Sequence, residues 1–157
     1  AKYIIYTDAS SVKGGPIGGC LIAVSNGAQV RKFGTGVPRD LIQQNADGGV
    51  HINSLETLAA VFAMVEFRKE IENSSAVLFN DDNTALISLL KGCSKNPDSN
   101  KLAWAFWKFA GEANCTIWIE RVNSADNPAD ILSREVTTIG HSEIFQQIRE
   151  TKRAIML

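Results

Sequence analysis

The chain has 157 residues, a length typical of one domain with a buried core. It is 45% hydrophobic and 21% charged, as is ordinary for a globular protein, and no apolar run is long enough to span a bilayer. The net charge of −1 argues against a partner held by a large basic surface, so if the substrate is a nucleic acid, this domain alone should hold it weakly. The three cysteines, Cys20, Cys93 and Cys115, lack CxxC spacing and predict reduced thiols in an intracellular protein.

Three β-strands are predicted in the first part of the chain. The segment "KYIIYTD" is rich in β-branched and aromatic residues, "GGCLIAVS" follows a glycine-rich turn, and "AQVRKFGTG" alternates apolar and polar residues. Asn26 and Gly27 form a good hairpin turn between the second and third segments. The simplest arrangement of these segments is three antiparallel strands.

After the third strand, the spacing of the apolar residues changes to that of a helix. The segment "NSLETLAAVFAMVEFRKEI" is predicted to be helical and to end near Asn73. The short apolar run "AVLF" is typical of a central strand covered on both faces, and "NTALISLLKG" indicates a helix closed by Gly92. A further helix, "DSNKLAWAFWKFAGEA", is expected to begin near Asp98 or Ser99 and to break at Gly111.

The last elements are a strand and two helices. The segment "CTIWIERV" predicts a strand, and "NPADILSRE" a helix with Asn127 as its N-cap and Pro128 at its first position. We expect an α/β fold with a mixed five-stranded sheet, three antiparallel strands followed by two parallel ones, flanked by helices. Residues 1–157 are predicted to form one domain, with 136–157 as a C-terminal helical tail.

Four carboxylates lie on four separate predicted elements. Asp8 ends the first strand, Glu56 lies in the first turn of the long helix, Asp81 ends the central strand, and Asp130 lies in the first turn of a late helix. If the central strand pairs beside the first strand, Asp8 and Asp81 are neighbours, and the two helix starts come within reach. Such a cluster needs protons or cations, and Mg²⁺ prefers oxygen ligands. Two such ions activate a water and stabilise the leaving oxygen of a phosphodiester.

Structural roles explain most acidic residues when each is taken alone. Asp82 suits the N-cap of "NTALISLL", and Glu56 and Asp130 suit early helical positions because of the helix dipole. Asp8 and Asp81 are harder to explain in this way, since each ends a strand beside another charged strand end. On spacing alone, both a metal site and a set of structural roles stay open.

The local sequences resemble those of ribonuclease H domains, most closely those that follow reverse transcriptases in retroviruses and retroelements. The segments "YIIYTDAS", "NSLETLAAV", "VLFNDDNTAL" and "VNSADNPADILSRE" come in the order of that family's motifs, between residue 3 and about residue 134. "NPADILSR" and "DDNTA" are the more specific of them. Mapped residue by residue, the family's carboxylates correspond to Asp8, Glu56, Asp81 and Asp130.

The resemblance implies an RNase H-like fold and a nuclease that uses two Mg²⁺ ions, or Mn²⁺ as a substitute, to cut the RNA strand of an RNA/DNA hybrid. It leaves 3′-hydroxyl and 5′-phosphate ends. Asp8 would bridge both ions, with Glu56 and Asp81 on one side and Asp130 on the other. Glu56 would also lie near the 2′-hydroxyl that distinguishes RNA from DNA. The resemblance further assigns substrate contacts to Asn53, Ser54, Asn83 and Ser10.

The chain departs from the family pattern at two places. Many members carry a histidine in the loop before the last aspartate, but "VNSADN" has none, and we expect His51 and His141 to lie elsewhere, His141 in a solvated tail. The connection "KGCSKNPDSNK" is too short for the basic protrusion with which cellular enzymes grip the hybrid. Lys91, Lys95 and Lys101 are a thin substitute for it.

Three tryptophans are available for stacking on bases or for the core. We expect Trp107 and Trp118 to fill the core between helix and sheet. Trp104 lies off the apolar face of its helix and is predicted to be an exposed contact.

The leading hypothesis is the ribonuclease H domain of a reverse transcriptase, with a polymerase domain in the same polyprotein as partner and no membrane contact. Its expected location is intracellular, in the cytoplasm or within a retroelement or viral particle. A start at Ala1, immediately before the first strand, suggests a domain from a longer chain. One alternative is an inactive scaffold with the same fold. Another is a related two-metal nuclease or transposase core.

Overall fold

The computed structural model describes residues 1–11, 15–42, 51–134 and 141–155. The strands are β1 (Tyr3–Ala9), β2 (Ile17–Ala23), β3 (Gln29–Thr35), β4 (Ser75–Asn80) and β5 (Thr116–Arg121). The helices are α1 (Ile52–Glu66), α2 (Arg68–Ile71), α3 (Asn83–Lys91), α4 (Pro97–Glu112), α5 (Ala129–Leu132) and α6 (Ser142–Ala154), with a 3₁₀ turn at Ser124–Asp126. None of the helices in these ranges has the length and hydropathy that crossing a bilayer requires.

The five strands form one mixed sheet in the order β3-β2-β1-β4-β5. The pairs β1–β2 and β2–β3 are antiparallel, whereas β1–β4 and β4–β5 are parallel, which confirms the predicted fold class. The hairpin between β2 and β3 turns at Gly27, whose φ of 68° is one that glycine adopts without strain. Because β1 and β4 are parallel neighbours, their carboxyl ends meet at one edge of the sheet.

Helix α1 forms the centre of the core. Its residues from Ser54 to Met64 are all buried, and the helix contacts β1, β2, α3, α4 and α6. Helix α6 buries Phe145 and Ile148 in the same core. The long helix predicted from the sequence is interrupted at Phe67, after which α2 continues to Ile71.

His141 is not the solvated tail residue expected from the sequence. It directly precedes α6, and its side chain is only 13% exposed. The imidazole packs edge-on against Phe62, and its Nδ1 lies 3.6 Å from Oε2 of Glu66. His141 is held at the core by these contacts with α1, although Ser142, the first residue of α6, is exposed.

The expectation that β4 is covered on both faces was wrong. Ala76 and Leu78 are fully buried on one face, but Val77 and Phe79 on the opposite face are only partly buried. The Phe79 ring stacks instead on Tyr6 of the neighbouring strand, with 5.2 Å between ring centroids.

The expected core positions of Trp107 and Trp118 were also wrong, since these side chains are 38% and 53% exposed. The indole N–H of Trp107 donates to the carbonyl of Leu89, 2.6 Å away, in the last turn of α3. That carbonyl also accepts from the Gly92 N–H at 3.2 Å, and the indole hydrogen bond holds the ring at the surface between α3 and α4. Trp104 is 52% exposed, as predicted.

The helix ends show how local sequence sets the elements around the site. Helix α3 has the predicted boundaries, with the Asp82 side chain accepting from the Ala85 amide and Gly92 closing the helix at φ 70°. Helix α4 begins earlier than expected, at Pro97, because the Asn96 side chain caps it. It also continues through Gly111, since a single glycine costs only about 1 kcal/mol in a helix that is held by packing.

Candidate active site

Three carboxylates meet where β1 and β4 end. One carboxylate oxygen from each of Asp8, Glu56 and Asp81 lies within 4.8 Å of the others. Asp8 and Glu56 are only 4% and 3% exposed, and Asp81 is partly exposed. Elements far apart in sequence therefore bring three acidic groups to one point. Within the described ranges, no other group of three or more acidic, histidine or cysteine side chains is this compact.

Glu56 reaches the cluster from the second turn of α1, not from the first turn as the sequence predicted. Its two oxygens have different donors. Oε1 accepts from the backbone N–H of Ala9 at 2.8 Å, and Oε2 accepts from the side-chain amide of Asn80 at 2.7 Å. The strand end after Asp8 and the end of β4 thus both hold the Glu56 carboxylate in place.

Asp130 lies beside this cluster on the one-turn helix α5 and is not part of the group of three. The Ser133 hydroxyl lies 3.3 Å from Oδ2 of Asp8, so α5 contacts the end of β1 directly. This contact requires Gly18, which pairs with Asp8 across the sheet. A Cβ atom at Gly18 would lie 2.4 Å from the backbone nitrogen of Ser133.

The acidic side chains perturb one another strongly. Burial, helped by the Asp81 charge and the Asp130 carboxyl, raises the pKa of Asp8 to about 6, although the hydrogen bond with Glu56 opposes this shift. Burial also raises the pKa of Glu56, to about 10, and the charge of Asp8 adds to the effect. Buried like charges need a proton or a cation, and this all-oxygen donor set is the kind that fits a hard divalent cation such as Mg²⁺.

The residues assigned to substrate contacts are placed in different environments. Asn83 is exposed in the first turn of α3, and Ser10 is partly exposed just after β1. The Asn53 side-chain amide lies against the Asp82 carboxylate. With its nitrogen facing that carboxylate, it donates to Oδ2 at 2.7 Å. Ser54 is fully buried, and its hydroxyl is 2.8 Å from that of Ser99. All four substrate contacts stay predictions, and that of Ser54 would require its side chain to leave this hydrogen bond.

Sequence reasoning missed two buried polar residues at the site. Asn80 and Thr7 are almost completely buried, and both lie directly before a carboxylate of the cluster. The Asn80 amide donates to the carbonyl and the hydroxyl of Thr7 as well as to Glu56. A polar residue that closes the apolar run "AVLFN" was the available signal, because a buried asparagine needs partners.

The sequence matches no family model and no curated protein. The structure, in contrast, matches 42 chains of solved structures. The chain has the ribonuclease H-like fold. RNase H1 from the halophilic archaeon Halobacterium salinarum NRC-1 aligns with a TM-score of 0.71 at 18% identity, over 87% of this chain and 97% of that one.

Two further neighbours extend the comparison. The N-terminal RNase H domain of rv2228c from Mycobacterium tuberculosis, solved as a fusion with maltose binding protein, has a TM-score of 0.68 at 16% identity, over 95% of this chain and 96% of that one. LC11-RNase H1, solved in complex with an RNA/DNA hybrid, has a TM-score of 0.70 at 14% identity, over 86% of this chain and 96% of that one. At such identities the likeness concerns the fold.

Proposed function

We propose that this chain is a ribonuclease H that hydrolyses the RNA strand of RNA/DNA hybrids with divalent metal ions. The observation that carries the proposal is the meeting of Asp8, Glu56 and Asp81 within 4.8 Å at the carboxyl ends of β1 and β4. The same fold occurs in LC11-RNase H1, which was solved with an RNA/DNA hybrid. Fold and site therefore favour the same chemistry.

In this proposal Asp8, Glu56 and Asp81 would hold one ion, and Asp8 and Asp130 would hold a second. When bound, Mg²⁺ or Mn²⁺ supplies activation of the attacking water and stabilisation of the leaving oxygen. The protein contributes rigidity. The Ala9 amide and the Asn80 side chain fix Glu56, and the Ser133 hydroxyl contacts Asp8.

The proposed preference for a hybrid depends on the RNA strand lying next to Glu56. In this proposal the RNA strand lies along the exposed side of the cluster, where Asp81 and Asn83 are accessible. The 2′-hydroxyl of RNA is both a donor and an acceptor, so contacts to it separate RNA from DNA. Ser10 and Asn53 border the same region and are the further candidate contacts.

We also propose that the domain works beside a reverse transcriptase polymerase domain. Only residues 92–96 connect α3 to α4, so this region has no room for a basic protrusion. With a net charge of −1, the chain has little electrostatic attraction for a hybrid. The isolated domain should therefore bind hybrids weakly. Tight binding with little salt dependence would contradict this part of the proposal.

The decisive experiment is cleavage of an end-labelled RNA/DNA hybrid, with duplex RNA and duplex DNA as parallel substrates. Reactions contain Mg²⁺, Mn²⁺ or EDTA, and the unchanged chain is compared with Asp81→Asn and Asp82→Asn. We expect metal-dependent cutting of the RNA strand in the hybrid alone. Asp81→Asn should lower the rate by more than about 100-fold, because even residues that only support a metal ligand cost 10–100-fold.

Asp82→Asn is the matched control, because it makes the same chemical change one residue away. Asparagine caps helices as well as aspartate does, so this variant should retain cleavage. Cutting of duplex DNA at a similar rate would contradict the proposed substrate. Absence of cutting with Mn²⁺ at low salt, even after addition of a polymerase domain, would identify the chain as a scaffold.

A further inference from the structure

Asn80 is the last residue of β4 and directly precedes Asp81. It is 1% exposed, and both its amide nitrogen and its amide oxygen are hydrogen-bonded. The Nδ2 group donates to Glu56 Oε2 at 2.7 Å, to the Thr7 hydroxyl at 3.1 Å and to the Thr7 carbonyl at 3.2 Å. Its Oδ1 atom accepts from the backbone N–H of Asp82 at 2.8 Å.

These contacts allow the Asn80 side-chain amide only one orientation. The N–H of Asp82 is a donor and can only meet the amide oxygen, so the nitrogen must face Thr7 and Glu56. A reversed amide would bring its oxygen against the Glu56 carboxylate and leave the Asp82 N–H without this acceptor. The turn from β4 into α3 therefore sets the direction in which Asn80 donates.

Asn80 supplies the only side-chain amide that bonds Glu56 among the described residues. A glutamate side chain has three rotatable bonds, and holding it in one rotamer costs up to about 2 kcal/mol of conformational entropy. The backbone amide of Ala9 holds one carboxylate oxygen, and Asn80 holds the other. Two donors at fixed positions define the plane of the carboxylate, whereas one donor would let it rotate.

The neutrality of Asn80 matters as much as its position. A lysine or arginine at this site would also donate to Glu56, but its positive charge would neutralise the cluster and repel a divalent cation. An amide orients the carboxylate and leaves its negative charge available to a metal ion.

We propose that Asn80 is a positioning residue, which holds the Glu56 carboxylate in the orientation that binds a divalent cation together with Asp8 and Asp81. This inference rests on the proposed function, because it assumes that the three carboxylates are metal ligands. Asn80 itself contacts neither the ion nor the substrate. It acts through Glu56, and this dependence can be measured.

The test is calorimetric titration of the metal-free protein with Mn²⁺, in the unchanged chain and in Asn80→Ala, Glu56→Ala and the double variant. Asn80→Ala should weaken Mn²⁺ binding by about ten-fold, the usual cost of losing a residue that orients a ligand. In the Glu56→Ala background the same change should have no further effect, because nothing is left to orient. Asn100→Ala is the matched control: the side chain of this asparagine accepts from the Ser94 amide in the connection between α3 and α4. It should leave Mn²⁺ affinity within two-fold.

The double variant separates two kinds of failure. If Asn80→Ala weakens binding equally in both backgrounds, Asn80 is a general structural residue and the inference is overturned, while the metal site stands. If Glu56→Ala itself leaves Mn²⁺ binding unchanged, the proposed metal site fails first.

A measurement on the unchanged chain avoids any variant that does not fold. In a magnetic resonance titration with Mg²⁺, the Asn80 side-chain amide signals should shift and reach saturation at the same midpoint as the backbone amide of Asp81. Signals of the Asn100 side chain should stay constant. An Asn80 amide that does not respond while Asp81 does would overturn the inference.

Discussion

Asp81 and Asp82 are adjacent in sequence but have different surroundings. The Asp82 carboxylate accepts from the Ala85 amide at 3.0 Å and caps α3, and the Asn53 amide lies against it. The Asp81 carboxylate joins Asp8 and Glu56. Because β4 ends at Asn80, one residue step turns the side chain from the sheet edge to the helix terminus. The pair therefore allows helix capping and chemistry to be tested separately.

At Asp82, loss of the cap should affect stability and not activity. Asp82→Ala should lower the free energy of unfolding by about 1 kcal/mol, because an N-cap hydrogen bond is lost, whereas Asp82→Asn should change it by only a few tenths. Urea unfolding measures both values. Cleavage of the hybrid should stay within a few-fold of the original rate in each variant. Loss of cleavage in Asp82→Asn would mean that the two aspartates have been assigned the wrong roles.

Helix α5 has only four residues, so it cannot be stable by itself and takes its position from its neighbours. Three contacts define that position. Asn127 bonds both the Ala129 amide and the Thr7 carbonyl, Ser133 contacts Asp8, and the backbone of α5 lies directly on Gly18. A short element can therefore present Asp130 at a defined place because the sheet has no side chain there.

Gly18→Ala should displace α5 and lower both stability and cleavage. The added methyl group would lie 2.4 Å from one backbone atom and 2.5 Å from another, and backbone cannot move aside cheaply. We expect a loss of about 1–3 kcal/mol in the free energy of unfolding, as for other overpacked sites, and a clear drop in cleavage.

Gly111→Ala is the matched control for Gly18→Ala. Gly111 lies in α4, and a Cβ there would meet nothing within 4 Å. The same substitution should therefore raise stability by about 0.5–1 kcal/mol and leave cleavage unchanged. Equal effects of the two alanines would contradict the assigned close approach of α5 to β2.

For the whole molecule, the acidic cluster should make stability fall as pH rises when metal is removed. The folded-state pKa of Asp8 is raised from 3.8 to about 6, and that of Glu56 is also raised. From about pH 4, up to about pH 6 for Asp8 and about pH 10 for Glu56, the folded protein therefore holds more protons than the unfolded chain, so deprotonation favours unfolding. The Arg149 guanidinium lowers the pKa of Asp40, so this pair makes stability rise with pH. That rise occurs below about pH 4, outside the window of the cluster.

Urea unfolding in EDTA at pH 4.5, 5.5 and 7 should show this decline, and Asp8→Asn should make it shallower. At pH 7, excess Mg²⁺ should restore stability, because a ligand that binds only the folded state stabilises it by mass action. A stability that increases steadily over this range in EDTA would show that the carboxylates do not repel one another in the folded protein.

Local sequence patterns predicted most of the fold. The hairpin at Asn26–Gly27, the Asp82 cap and the Gly92 stop depend on residues close in the chain, and the structure has all three. The order of strands and helices followed from the spacing of apolar residues, which changes between that of a strand and that of a helix, and from the short connections. These features are local, and therefore readable from one sequence.

What the sequence did not predict depends on contacts between distant residues. His141 and Trp107 were misplaced because their exposure depends on contacts with other helices. His141 packs on Phe62 of α1, and Trp107 donates to the Leu89 carbonyl of α3. Asn80 was missed because its partners lie 24 and 73 residues away. The carboxylate positions came from a family resemblance, and spacing alone had left them open.

The carbonyl oxygen of Thr7 accepts from two asparagine amides, Asn80 at 3.2 Å and Asn127 at 3.0 Å. These donors are separated from Thr7 by 73 and 120 residues. During synthesis, the C-terminal end of β1 therefore lacks these two hydrogen bonds until most of the chain has been made. A nascent chain that stops before residue 127 already contains the three clustered acids but cannot complete this junction. Competence for the proposed chemistry should consequently arise late, in a step that closes a loop of 120 residues.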